Sequence, residues 1–242
     1  MAYYVESSVR EPRLTSKICS AFKICIVLVL FDSGIELMLS SMAVAWVKNT
    51  DYSSAFRFTA DGKKYPLSGH PRHFAVDHVH VTQAAAMFAT LFPGLTSGMA
   101  LMTRDSFTGR GAKPSRYFYY IWLSLCVPAL ILTGVALTYA LAVENSQKAQ
   151  VISTALAISE NGRPYARGTW TPLNWFAAVL KLDSFYWHDG RADMVNNLNF
   201  LRGALYNLIP MFILQLAQLV LAFIEYYEWV REPSLSAAYS GY

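Results

Sequence analysis

Four long apolar segments, separated by stretches rich in charge and turn residues, set the pattern of this chain. They run from Ile24 to Val47, Val81 to Thr103, Tyr117 to Val143 and Gly203 to Ile224. A bilayer core about 30 Å thick calls for about 20 apolar residues in a helix rising about 1.5 Å per residue. Each segment reaches that length, and the second, third and fourth contain no Asp, Glu, Lys or Arg. A surface helix of a soluble domain would carry a charged face at helical spacing. The pattern predicts an all-α integral membrane protein, a four-transmembrane-helix bundle. Its other parts are an N-terminal segment 1–23, an outer loop 48–80, an inner loop 104–116, an outer loop 144–202 and a tail 225–242.

The first segment has Lys17 and Lys23 before it, as a secretory signal would. It is too long for one and lacks a small-residue cleavage site before Trp46, so it is expected to remain as a span. Aromatic anchors agree with the boundaries: Trp46 closes the first span, Tyr117, Tyr119 and Tyr120 open the third, and Tyr226, Tyr227 and Trp229 follow the fourth. Such rings favour the headgroup level because they join an apolar body to a polar tip. Pro93, Pro128 and Pro210 fall inside spans, where neighbouring helices can re-satisfy the backbone groups they free. Gly94 and Gly98 form a G-x-x-x-G pair, expected to serve helix packing within the chain.

The two longer loops carry structure of their own. Alternating aromatics around Asp61-Gly62, from Phe56 to Tyr65, predict a short extramembrane β-hairpin. In the second outer loop, a short apolar stretch from Val151 to Ile158 ends at Asn161-Gly162. Farther on, Thr171 followed by Pro172 predicts a helix start, with Trp175, Phe176, Val179 and Leu180 on one face. That face is expected either to lie on the membrane as an interfacial helix or to pack on the ends of the spans.

Charge sets the orientation. Arg10, Arg13, Lys17 and Lys23 crowd the N-terminal segment, and Arg104, Arg110, Lys113 and Arg116 crowd the short inner loop. Under the positive-inside rule these regions and the tail are cytoplasmic. Composition narrows the class further: 54% of residues are hydrophobic, 15% are charged and the formal net charge is +4. So little charge leaves no basic face for nucleic acid. The three cysteines, Cys19, Cys25 and Cys126, lie in or beside apolar runs and suit buried thiols better than a disulfide framework.

Two groups of residues exceed what a plain bundle needs. Asp32 and Glu36 sit four apart within the first span, on one helix face. An acid at mid-bilayer costs about 2.5–3.5 kcal/mol on insertion scales, so both must face the bundle interior. There they could serve as a catalytic acid pair, a proton relay or a cation site, or bond to Gln215, Gln218 or neighbouring hydroxyls. The second group is the stretch from His70 to His80, which holds His70, His73, His78 and His80. If a helix begins near Pro71, then His73, Asp77 and His80 share a face at i, i+4 and i+7. Two imidazoles and a carboxylate suit a divalent transition metal such as iron, zinc or copper. An extended backbone would align His78 with His80 instead, giving a polar collar at the membrane surface. His188, in the other outer loop, is a further candidate ligand.

Four spans with a small outer hairpin resemble the general plan of claudin-type and other tetraspan proteins. The likeness is one of topology alone, because neither the W-x-x-W-C-C pattern of claudins nor the C-C-G signature of tetraspanins is present. The expected function is that of an accessory, scaffold or organising subunit of a membrane, acting through its outer loops on membrane-protein partners or on copies of itself. The competing expectation is a membrane-embedded enzyme on a lipophilic substrate, using Asp32 and Glu36 and a histidine-held metal.

Overall fold

The computed structural model describes residues 12–50, 56–106, 112–182, 185–187 and 190–239. Within them, α1 (Pro12–Asn49), α4 (Ala112–Ser146) and α7 (Arg191–Tyr239) are long continuous helices. The second span is one rod made of α2 (Asp77–Ala89), a π-helical turn (Thr90–Thr96) and α3 (Ser97–Ser106). Four stretches are long and apolar enough to cross a membrane: Ile18–Asn49, Asp77–Met102, Tyr117–Ser146 and Arg191–Tyr227. All extend past the apolar segments read from the sequence, because each helix continues into the loop-built layer or beyond the opposite end.

α1 packs against α7 and α2, and α4 closes the ring against the same two helices. The middle of the bundle is lined by Ala85, Ala86, Ala89, Ala136 and Ala140, with Leu208 and Met211. Lipid offers helices no hydrophobic drive to associate, so small side chains that admit close backbone approach do the packing. A Cβ on Gly94 would meet Leu30 Cδ1 at 2.9 Å and Leu30 Cα at 3.4 Å, whereas one on Gly98 would meet nothing within 4 Å. The glycine pair therefore acts through Gly94 alone, within the chain. Outward, the bundle is apolar: Phe31 is 70% exposed and Met102 73%. Such a surface is stable only against hydrocarbon or another apolar partner.

Pro93 has no amide hydrogen to continue the ladder, and the backbone around it widens into the π turn. Side chains of other spans reach carbonyls of this turn. Trp122 Nε1 donates to the Phe92 carbonyl at 3.1 Å, and Gln218 Nε2 donates to the Pro93 carbonyl at 2.7 Å. Pro128, by contrast, lies within an uninterrupted α4.

The loops fold into a compact head on the end of the bundle where α1 and α4 finish and α2 and α7 begin. β1 (Phe56–Ala60) and β2 (Lys63–Leu67) form the expected hairpin, with Phe56 opposite Leu67 and Phe58 opposite Tyr65. Asp61 at φ 50° and Gly62 at φ 73° supply the two positive φ values of the tight turn. A two-residue strand, β3 (Tyr186–Trp187), adds to the free edge of β1 and makes a three-stranded sheet in the order β2-β1-β3. α5 (Thr154–Glu160) starts at Ser153, whose hydroxyl accepts from the Leu156 amide, and ends at Asn161 in the left-handed conformation. α6 (Pro172–Val179) starts as expected, with Thr171 as its cap.

The face of α6 does not lie on the membrane. Trp175, Phe176 and Val179 are wholly buried in the core of the head, and Leu180 packs against it, with Phe56, Phe58 and Leu67 from the sheet. The interfacial-helix expectation is corrected: the ends of α1 and α7 contribute Ala43, Trp46, Met194, Leu198 and Leu201 to the same core, and together they cover the apolar face. Trp175 Nε1 donates to the Gly69 carbonyl at 2.8 Å, tying the two outer loops together.

Candidate functional site

α1 places Asp32 and Glu36 one helical turn apart, facing α7. Glu36 is wholly buried and Asp32 half-buried. The polar side chain that faces both carboxyls is Asn207, whose Nδ2 donates to the Asp32 backbone carbonyl at 3.4 Å. Neither Glu36 oxygen, nor Asp32 Oδ2, makes a hydrogen bond. The buried hydroxyls beside them turn back on their own helix: Ser33 donates to the Leu30 carbonyl and Ser40 to the Leu37 carbonyl. Gln215 pairs with Thr133 at 3.0 Å, and Gln218 is held by Pro93. The glutamines are thus engaged elsewhere and leave the acids as a separate polar site in an apolar wall.

The histidine segment is organised differently from its expected helix. The Arg72 amide donates to the Tyr165 carbonyl, the Ala75 amide to the Trp170 carbonyl, and the Trp170 amide to the His73 carbonyl. These bonds pin Pro71 and Phe74 as isolated bridges to the second outer loop, with a bend at Arg72 and His73 between them, and α2 starts only at Asp77. His73 consequently lies outside the helix that carries Asp77 and His80, and the expected i, i+4, i+7 face is not formed. Among the described residues, no three His, Cys, Asp or Glu side chains gather as a metal would require. His188 lies outside the described residues. His70 Nε2 sits 2.8 Å from the Val47 carbonyl and 3.1 Å from Thr50 Oγ1, fastening the loop to the end of α1. Glu36 lies eleven positions back along the same helix, about 16 Å by helical rise. No active site shared by the acids and the histidines follows from this arrangement.

His78 and Glu144 form a buried centre that sequence reading missed. His78 Nε2 lies 3.1 Å from Glu144 Oε1, with both residues almost wholly enclosed. Glu144 Oε2 accepts from the Thr171 hydroxyl and from Asn174 Nδ2, each at 2.8 Å. The Thr171 hydroxyl accepts in turn from the Asn174 amide at 3.2 Å, so its donor and an acceptor position are both used. One carboxyl thus clamps α2, α4 and the start of α6. The signal available was an acid directly after an uncharged span, followed by a Thr-Pro-x-Asn helix start.

A cleft of about 240 Å³ lies beside the last turn of α1 and the first turns of α2. Val44, Val47, Phe74 and Val79 make much of its wall, and Lys48, His70 and His80 supply its polar groups. Lys48 and His80 are exposed.

The charge-based orientation rests mainly on Arg10, Arg13, Lys17, Arg104, Arg110, Lys113 and Arg116, whose side chains lie outside the described residues. The four apolar helices are the pattern of a multi-pass membrane protein. No family model, curated protein or solved structure matches the chain.

Proposed function

We propose that this protein is an accessory, scaffold or organising subunit of a membrane, acting through its head on membrane-protein partners or on further copies of the chain. The N-terminus, the short loop and the tail face the cytoplasm in this reading, and the head faces away from it. The observation that carries it is the single core shared by the loops and the ends of α1 and α7. Loops that serve as lids are drawn from weakly packed, easily opened parts of a protein. Here the loops bury aromatic side chains and form a surface fixed to the spans, as a binding platform requires. On the solvent face of the sheet, Arg57 stands opposite Tyr186, and Lys64 opposite Thr59.

The test is the size of the assembly extracted from native membranes in mild detergent, with and without crosslinker. The full chain is expected in a particle larger than one copy. A variant with Arg57→Glu, Lys64→Glu and Tyr186→Ser should leave it while keeping its helix content and melting temperature. A single-copy particle before and after crosslinking would remove the proposal.

A second reading, a membrane-embedded enzyme on a lipophilic substrate, is favoured by one observation: Glu36 is wholly buried with neither oxygen hydrogen-bonded. Asp32 and Glu36 would then be its acid–base pair. Loss of a cellular phenotype in Asp32→Asn/Glu36→Gln, with the protein still accumulating normally, would support it.

A further inference from the structure

The cleft at the junction of head and bundle has a depth, a charge sign and a wall chemistry that together select a ligand. Its depth follows from α1, whose apolar run ends at Val47 beside Trp46, the level at which phospholipid headgroups lie when such a helix spans a bilayer. Among the described residues its charge is one-sided: Lys48, His70 and His80 line it, and no described Asp or Glu does. Among those described residues a choline or ethanolamine group would find no carboxylate and Phe74 as the one phenyl face, far from a cation-binding cage. Its wall is mostly apolar, which a free inorganic anion would not use. Its volume, about 240 Å³, falls below the range of about 300–1,000 Å³ typical of pockets that engulf a ligand. It suits one part of a larger molecule whose remainder lies outside. Met87, two turns beyond His80 on the same face of α2, is 48% exposed and offers apolar surface for that remainder.

We infer that this cleft binds an anionic phospholipid of the surrounding bilayer, with its phosphate on Lys48 and His80 and its glycerol and first methylenes against Val44, Val47 and Val79. The lysine supplies a mobile ammonium and the imidazole a directional N–H. His70 is held by its bonds to Val47 and Thr50 and fixes the back of the cleft through its contact with Phe74, with ring centroids 4.6 Å apart. The site needs no protein partner, so it stands or falls apart from the scaffold reading.

Native mass spectrometry of the purified full chain, titrated with dioleoylphosphatidylglycerol or dioleoylphosphatidylcholine, tests it. The anionic lipid is expected to bind at least about tenfold more tightly. Lys48→Gln should weaken it about fivefold, the effect of one juxtamembrane cation, and Lys48→Gln/His80→Gln further. Val44→Trp fills the cleft without changing charge and should weaken the anionic lipid at least as much. Lys63→Gln/Lys64→Gln, on the exposed hairpin, should change nothing. Equal affinity for the two lipids would overturn the site, as would equal losses in the rim and hairpin variants. Competition by glycerol phosphate at the concentrations effective for the whole lipid would overturn it too, by showing a site for a free phosphate. Should Val44→Trp fail to accumulate, the exposed rim variants and the hairpin control decide.

Discussion

His78 Nε2 lies 3.1 Å from Glu144 Oε1, joining two spans within the buried junction of bundle and head. Because the other oxygen of Glu144 accepts from Thr171 and Asn174, removing the carboxyl strands three groups at once. Breaking a buried, hydrogen-bonded pair by deleting one partner costs about 3–5 kcal/mol. Glu144→Ala is expected to lower the melting temperature of the purified protein by several degrees, and Glu144→Gln by less. In a double-mutant cycle, His78→Ala and Glu144→Ala together should cost less than their sum, by about 0.5–3 kcal/mol. Strict additivity would show that the two side chains are not coupled.

This centre also marks where sequence reading stopped. The four spans were legible because each carries a long apolar run, uncharged in all but the first, and the hairpin because Asp61-Gly62 supplies a tight turn between alternating aromatics. The start of α6 was legible for the same local reason, in Thr171-Pro172. What escaped depends on pairing across the chain. Tyr165 and Trp170 pin Pro71 and Phe74 to the second outer loop, overriding the helix that Pro71 would otherwise begin. β3 has two residues and acquires its identity only from the edge of β1. Glu144 reads as a solvated loop charge until Thr171 and Asn174 are brought over it.

Gly94 and Gly98 are equivalent in the sequence motif and unequal in the fold. A methyl at Gly94 presses on Leu30, including its backbone, whereas one at Gly98 enters open space. Overpacking of this kind typically costs about 1–3 kcal/mol. Gly94→Ala should lower the melting temperature in detergent, and Gly98→Ala should leave it unchanged or raise it slightly through better helix propensity. Equal losses would mean that the glycine pair works through a contact outside the chain.

The two intramembrane glutamines should respond differently to removal. Gln218 satisfies a backbone carbonyl, that of Pro93, which no substitution can delete. Gln215 pairs with the Thr133 hydroxyl, which can be. A buried group left without its partner costs about 1–3 kcal/mol, whereas replacing both partners with apolar groups of similar shape is nearly neutral. Gln218→Leu is therefore expected to destabilise the protein, and Thr133→Val/Gln215→Leu to leave its melting temperature within a degree or two. Matching losses in a thermal scan would contradict this division.

Glu36 poses the opposite case, a buried acid whose oxygens accept no hydrogen bond. An unsatisfied polar group taken from water costs about 1–3 kcal/mol by protein mutational measures. Leucine has a similar reach and none of that penalty. Glu36→Leu is thus expected to raise the melting temperature and to accumulate at least as well as the parent chain. A residue retained at a cost to stability needs another reason to be there, and the enzymatic reading supplies one. The informative measurement pairs the melting curve with a cellular phenotype in the same variant. Higher stability with the phenotype lost would place the acid in function. Lower stability would instead place it in a polar network with Asn207 and Asp32, and withdraw the main support for an enzyme.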